Sequence, residues 1–173
     1  MIGRMIERRQ LIAVVVGAAG GAAAIAIMEL LSARTDFPLM AIPFATSIVL
    51  VMGSPEAEPA QPRALVGGHL VATLVGLCAV KIAGPGPWVA AAAVGLSIIA
   101  MHLTRTFHPP AGIDPLVIVI HDMSWSFLLA PVAAGALMLA VFAFLWHNAL
   151  GRVVAGTRAG ARPGARSWPQ RWW

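Results

Sequence analysis

Apolar residues in this chain fall in long unbroken runs. They show neither the alternation of a half-buried strand nor the one-sided stripe of a helix on a soluble core. Six runs can be drawn, at about 10–32, 38–54, 64–84, 87–107, 110–121 and 124–148. A helix crosses a hydrocarbon core of about 30 Å with roughly 20 residues, at 1.5 Å each. The first, third, fourth and sixth runs reach that length. The second is borderline and is interrupted by Pro43, and the fifth, from Pro110 to Ile120, reaches about half way. Leu11 to Met28 carries no charge and the run stays apolar to Leu31. That exceeds the roughly 7–15 apolar residues of a cleaved leader and fits a spanning helix.

Short apolar segments broken by proline are the pattern of discontinuous membrane helices. The two short runs resemble each other. Pro43-Phe44-Ala45-Thr46-Ser47 leads into an apolar stretch at 48–52, and Pro110-Ala111-Gly112-Ile113-Asp114-Pro115 leads into another at 116–120. Each follows a long run and precedes one. The expected fold is an all-α polytopic membrane helix bundle, with four full spanning helices plus two short or half helices arranged as a two-fold internal repeat. Gly17 and Gly21, and Gly68, Ala72 and Gly76, recur at four-residue spacing. Such faces let helices approach closely in lipid, where apolar burial supplies no drive.

Composition agrees with this reading. Only 11% of the residues are charged and 59% are hydrophobic, whereas a soluble domain carries about 25% charge. Eight of the twelve basic residues lie at the two ends: Arg4, Arg8 and Arg9, then Arg152, Arg158, Arg162, Arg166 and Arg171. Basic flanks mark the cytoplasmic side, so both termini are expected there. The basic balance belongs to the ends and gives no nucleic-acid-binding face. Residues 1–150 are expected to form the membrane domain and 151–173 a disordered basic cytoplasmic tail, with Trp168, Trp172 and Trp173 as anchors to membrane lipid. The single cysteine, Cys78, permits no intrachain disulfide and is expected as a small buried hydrophobe.

Polar groups inside membrane segments are costly, and so point to function. The most informative stretch is Arg105-Thr106-Phe107-His108-Pro109-Pro110-Ala111-Gly112. Paired prolines end the preceding helix near Phe107 and suit the first turn of a new one at Pro109 or Pro110. The unpaired N–H groups of a new helix form an anion site if they lie at membrane depth, with His108 as a neighbouring donor. An interfacial turn capped by the histidine is the other reading. Pro43 to Ser47 supplies a second helix start with the hydroxyls of Thr46 and Ser47, which would line a path or bond back to their own backbone. Arg63 stands at the mouth of a spanning helix, either as a two-pronged oxyanion ligand or as a snorkelling charge, and His69 lies deeper in that helix. His69, His102, His108, His121 and His147 show no close ligand pair, so no metal is expected. No cofactor and no enzymatic motif is expected either.

The run Phe107-His108-Pro109-Pro110-Ala111-Gly112 resembles the motif that names the HPP family. Pro43 to Ser47, the loop from Glu56 to Pro59, Ala60-Gln61-Pro62-Arg63, Gly67-Gly68-His69-Leu70, and Trp125 to Leu128 with Pro131-Val132 are similar to that family as well. The resemblance spans about 38–147. It implies a compact bundle of four spanning helices, and transport of nitrite as in plastid and cyanobacterial members. Asp114 departs from the small neutral residues usual in those members. It would repel an anion unless protonated or paired with His108 or Arg105.

Together these features imply a transporter or channel for a small inorganic anion, nitrite first, in the bacterial inner membrane. The candidate pathway residues are His108, Pro109, Pro110, Gly112, Arg63, His69, Thr46, Ser47 and Asp114. A homo-oligomer is the candidate assembly. Two alternatives stay open: a non-transporting sensor or assembly subunit that uses the basic tail, and a proton or cation pathway that uses Asp114, Glu29 and the histidines.

Overall fold

The computed structural model describes residues 8–34 and 42–157. The described chain is helical and contains six α-helices with no strand among the described residues. They are α1 (Arg8–Ser32), α2 (Ala45–Gly53), α3 (Pro62–Ala83), α4 (Pro87–Leu103), α5 (Ile113–Ile120) and α6 (Ala134–Thr157). Short 3-10 turns lead into α2, α3 and α5, at Ile42–Phe44, Glu58–Ala60 and Pro109–Gly112. A wider turn, Leu128–Ala133, precedes α6, with a kink at Ala130 just before Pro131.

Three stretches are long and apolar enough to cross a membrane: Gln10–Ser32, Pro62–Ala83 and Leu128–Leu150. Where a fourth full span was expected, at 87–107, α4 has 17 residues and stops at Leu103. The prolines at 109 and 110 do not end it. A turn closed by backbone bonds from Thr106 to Met101 (2.8 Å) and from Arg105 to His102 (3.1 Å) does so first. In that turn Arg105 takes the left-handed conformation, φ 56°, that usually belongs to glycine. α5 ends in the same way, with Asp122 at φ 47° and Met123 bonded back to Ile118 at 3.0 Å. Neither left-handed residue is a glycine, so no sequence signal marked these ends. The expected break is present: α4 and α5 are separate helices with Pro109 opening the turn between them.

Proline sets the helix starts. Pro62 and Pro87 occupy first-turn positions of α3 and α4, where no backbone donor is needed. α6 continues to Thr157, past the expected boundary at residue 150. The remaining tail with its three tryptophans, the N-terminal Arg4, and the start of the second apolar run lie outside the described residues.

The helices pack in two groups. α1, α2 and α6 enclose one core with Met28, Phe44, Ile48, Val51 and Leu139, joined by Leu65 of α3. α3, α4 and α5 enclose the other with Leu77, Val80, Ala90, Ile118 and Val119. The small-residue faces lie where the short helices approach. A Cβ on Gly17 would meet the Met52 carbonyl oxygen of α2 at 2.7 Å, and one on Gly76 would meet Pro115 Cα of α5 at 2.7 Å. Both contacts are with backbone, so each glycine allows a half-helix to lie directly on a long one.

The outer surface is apolar. Ile82, Trp88, Leu103, Leu129 and Leu145 are exposed, as a face turned to lipid requires. Cys78, expected inside, is exposed on α3 on that same outer surface.

Candidate functional site

Five buried polar residues meet where α2 and α3 touch the start of α5. Ser47, His69, Thr73, His108 and Asp114 are each 0% exposed. Burial without partners would cost several kcal/mol per group, so their bonds have to be counted. The His69 Nδ1–Asp114 Oδ2 distance is 2.8 Å, and Thr73 Oγ1 donates to the same carboxyl oxygen at 3.3 Å. On its other side His69 Nε2 lies 2.8 Å from Ser47 Oγ. Ser47 Oγ also lies 2.9 Å from His108 Nε2. His108 Nδ1 then donates to the Pro59 carbonyl at 2.6 Å. The result is one continuous chain of hydrogen bonds: Pro59, His108, Ser47, His69, Asp114.

Each member is placed by local structure. Ser47 sits in the first turn of α2, after the 3-10 turn from Ile42, and faces inward while Thr46 beside it is exposed. His69 and Thr73 are four apart on α3 and so share one face. Gly68 lets the chain before α5 come against α3 at that level. A Cβ there would lie 2.6 Å from His108 Cβ and 2.8 Å from the Thr106 carbonyl oxygen. His108 is the extended residue preceding Pro109, a conformation that residues before proline favour. Pro59 is held by the loop between α2 and α3, where the Gln61 side-chain amide donates to the Pro55 and Ala57 carbonyls at 2.8 and 3.2 Å. Two rings close the sides: Phe44 lies 4.6 Å from His69, and His69 lies 5.2 Å from His108, both between centroids.

The structure thus brings together four of the predicted residues: Ser47, His69, His108 and Asp114. It separates the others from them. Arg63 points outward and donates to the Thr104 carbonyl at 3.1 Å, joining the start of α3 to the end of α4. Thr46 and Pro109 are exposed, and Pro110 and Gly112 are half-buried around the turn. The partner expected for Asp114 was His108 or Arg105; it is His69. Glu29, His102 and His121 are exposed and outside the cluster, with His102 stacked on Phe107. His147 bonds the Val51 carbonyl at 3.1 Å.

Sequence reasoning missed Thr73 and the Pro59 carbonyl. Thr73 could have been found from its four-residue spacing to His69. Pro59 could not, because any carbonyl of that loop can accept a hydrogen bond.

The arrangement can hold a charge inside the bundle and can pass protons along its length. One atom is left over: Asp114 Oδ1 is buried with no hydrogen-bond partner.

Comparison with known proteins identifies the scaffold. The chain matches the transmembrane region of the HPP family over residues 6–154. Two transmembrane proteins of Dictyostelium discoideum are similar to it. One is 36% identical over 113 residues, covering 61% of this chain, and the other 31% identical over 138 residues, covering 75%. The chain spans only 36% and 44% of the length of these two relatives. No solved structure matches. The HPP match extends from the start of α1 almost to the end of α6 and contains every residue of the buried cluster, and the chain therefore belongs to the HPP family of transmembrane proteins.

Proposed function

We propose that this chain carries a small inorganic anion across the membrane, nitrite first, through the region where the two short helices begin. One observation carries the reading: Ser47, His69, His108 and Asp114 form a fully buried polar cluster between the start of α2 and the turn into α5. An anion leaves its hydration shell only where fixed donors replace it; helix starts offer such donors, and the imidazole and hydroxyl groups add theirs where an ion displaces the bonds they make with one another. In this reading Asp114 is compatible with an anion because one proton held by Asp114, His69 or His108 leaves the cluster uncharged. Arg63 is left out of the site, and the resemblance to nitrite-transporting members supplies the choice of substrate.

In this reading α4 is the fourth spanning helix. Its 17 residues give about 26 Å of rise, and local thinning of the bilayer around a helix a few ångströms short completes the crossing. The long-short-long order of α1–α3 and α4–α6 is then the two-fold repeat. Four crossings leave both termini on the cytoplasmic side, the side their arginines favour. A reporter active only outside the cytoplasm should give no signal when fused to either end. A strong signal from the C-terminal fusion would rule out four crossings.

The transport test is nitrite uptake by vesicles containing the purified protein. Uptake should be saturable and well above that of protein-free vesicles, and His108→Ala should reduce it at least ten-fold while the protein still purifies as a single species. Uptake no greater than in protein-free vesicles would refute the anion reading. The presence of Asp114 favours one second reading, a proton pathway, which would show as a pH change inside vesicles that hold no nitrite. Vesicles showing neither flux would favour a non-transporting sensor or assembly subunit.

A further inference from the structure

The hydrogen-bonded chain carries an inference that rests on, and extends, the anion-transport reading. Its four links run from the Pro59 carbonyl to His108 Nδ1 (2.6 Å), from His108 Nε2 to Ser47 Oγ (2.9 Å), from Ser47 Oγ to His69 Nε2 (2.8 Å), and from His69 Nδ1 to Asp114 Oδ2 (2.8 Å). Each link needs one proton. The Pro59 carbonyl only accepts, so His108 Nδ1 must carry a proton. Ser47 has a single hydroxyl proton, so it can donate to one imidazole and must accept from the other. One of the two histidines therefore carries a proton on Nε2.

Three arrangements fill all four links with four protons. In the first, His108 is an imidazolium, Ser47 donates to His69, and His69 donates to the Asp114 carboxylate. In the second, His69 is the imidazolium and Ser47 donates to His108. In the third, both imidazoles are neutral and the Asp114 carboxylic acid donates to His69. All three are neutral overall, and they differ only in where one proton sits. Removing that proton leaves a net negative charge and an unfilled link in a site where every side chain is 0% exposed.

We propose that Asp114, His69, Ser47 and His108 form a proton relay that delivers one proton with each anion crossing the membrane. The hops balance atom by atom. His108 Nε2–H breaks as Ser47 O–H forms, while the original Ser47 O–H breaks as His69 Nε2–H forms. His69 Nδ1–H then breaks as Asp114 O–H forms. No heavy atom has to move beyond hydrogen-bond distance. The hand-over point is Asp114, whose second oxygen, Oδ1, is buried and unpartnered: an acidic O–H of the ligand breaks there as the Asp114 O–H forms, and the reverse step returns the proton. At its other end the chain stops at the Pro59 carbonyl, which only accepts, so the proton enters and leaves at Asp114.

The other titratable groups on the surrounding elements face elsewhere. Arg63 of α3 bonds the Thr104 carbonyl, His102 and Arg105 at the end of α4 are exposed, His121 beyond α5 is exposed, and His147 of α6 bonds the Val51 carbonyl. Ser47 is the link through which both imidazoles must communicate.

The test reads proton sharing directly, with infrared pH-difference spectra of the full chain in vesicles. In the wild type the Asp114 carboxyl band, assigned by its loss in Asp114→Asn, and the imidazole bands of His69 and His108 should change together in one step that takes up one proton. In Ser47→Ala that step should split, with His108 titrating apart from the His69–Asp114 pair, and Ser47→Thr should restore the single step. Separate steps in the wild type, or a single step persisting in Ser47→Ala, would overturn the relay. If Ser47→Ala does not fold, the wild-type titration and its proton count decide alone. The linkage to transport is read as acidification of the vesicle interior during nitrite entry, one proton per nitrite. Nitrite entry without acidification overturns the coupling and leaves the transport reading intact. If nitrite does not enter at all, the transport reading and this coupling fall together, while the titration still decides whether the proton is shared.

Discussion

Replacing His69 by leucine should destabilise the protein by about 3–5 kcal/mol and abolish anion flux. Leucine fills a similar volume, so packing is nearly conserved. What is lost is the 2.8 Å bond to Asp114 Oδ2 and the 2.8 Å bond to Ser47. Asp114 then keeps only the 3.3 Å bond from Thr73 in a site with 0% exposure. Removing one partner of a buried pair costs more than removing both, because the remaining group is desolvated without compensation. The double variant His69→Leu with Asp114→Leu should therefore recover most of the lost stability and still show no flux. Denaturant unfolding in detergent, read beside vesicle uptake, checks both halves. A loss below about 1 kcal/mol for His69→Leu would mean that the pair adds little to the fold.

The second large effect is expected from a single methyl group. Gly68→Ala would place a Cβ 2.6 Å from His108 Cβ and 2.8 Å from the Thr106 carbonyl oxygen. The backbone atom cannot yield by rotating a side chain, so the segment 106–108 must move off α3. Overpacking of this kind costs about 1–3 kcal/mol, partly offset by the better helix propensity of alanine, about 1 kcal/mol. Stability should fall modestly. Flux should fall at least ten-fold, because a shift of a few tenths of an ångström at His108 stretches its bonds to Ser47 and Pro59. Gly95→Ala, on a face of α4 with nothing within 4 Å, should leave flux unchanged and raise stability by up to about 1 kcal/mol. Wild-type flux in Gly68→Ala would show that the close approach does not govern the site.

Much of the bundle could be read from the chain because lipid imposes simple rules. Long apolar runs gave α1, α3 and α6, and paired prolines gave the break before α5. The glycine spacings marked the faces that receive α2 and α5. The ends of α4 and α5 were hidden because their left-handed residues are Arg105 and Asp122, where composition offers no glycine to read. At the site, His108, Ser47, His69 and Asp114 were legible one by one as polar residues in apolar surroundings. Their pairing was not, since His69 and Asp114 lie on different helices, 45 positions apart. Helical geometry did contain one unused clue. Six residues at about 100° each put Arg63 and His69 about 120° apart around α3, so both could not face one site.

The buried cluster also answers a question of alignment that the apolar surfaces leave open. Two leucine- and alanine-rich helices in lipid gain little from one axial offset over another, because tails and side chains are equally apolar. A directional bond does discriminate: sliding α5 along α3 by half a turn, about 2.7 Å, would stretch the 2.8 Å contact to about 3.9 Å and break it. Because α2, α3, α5 and the turn at His108 all meet at Ser47 or His69, one small knot locks four segments in longitudinal register, as a lone polar residue does in a coiled coil.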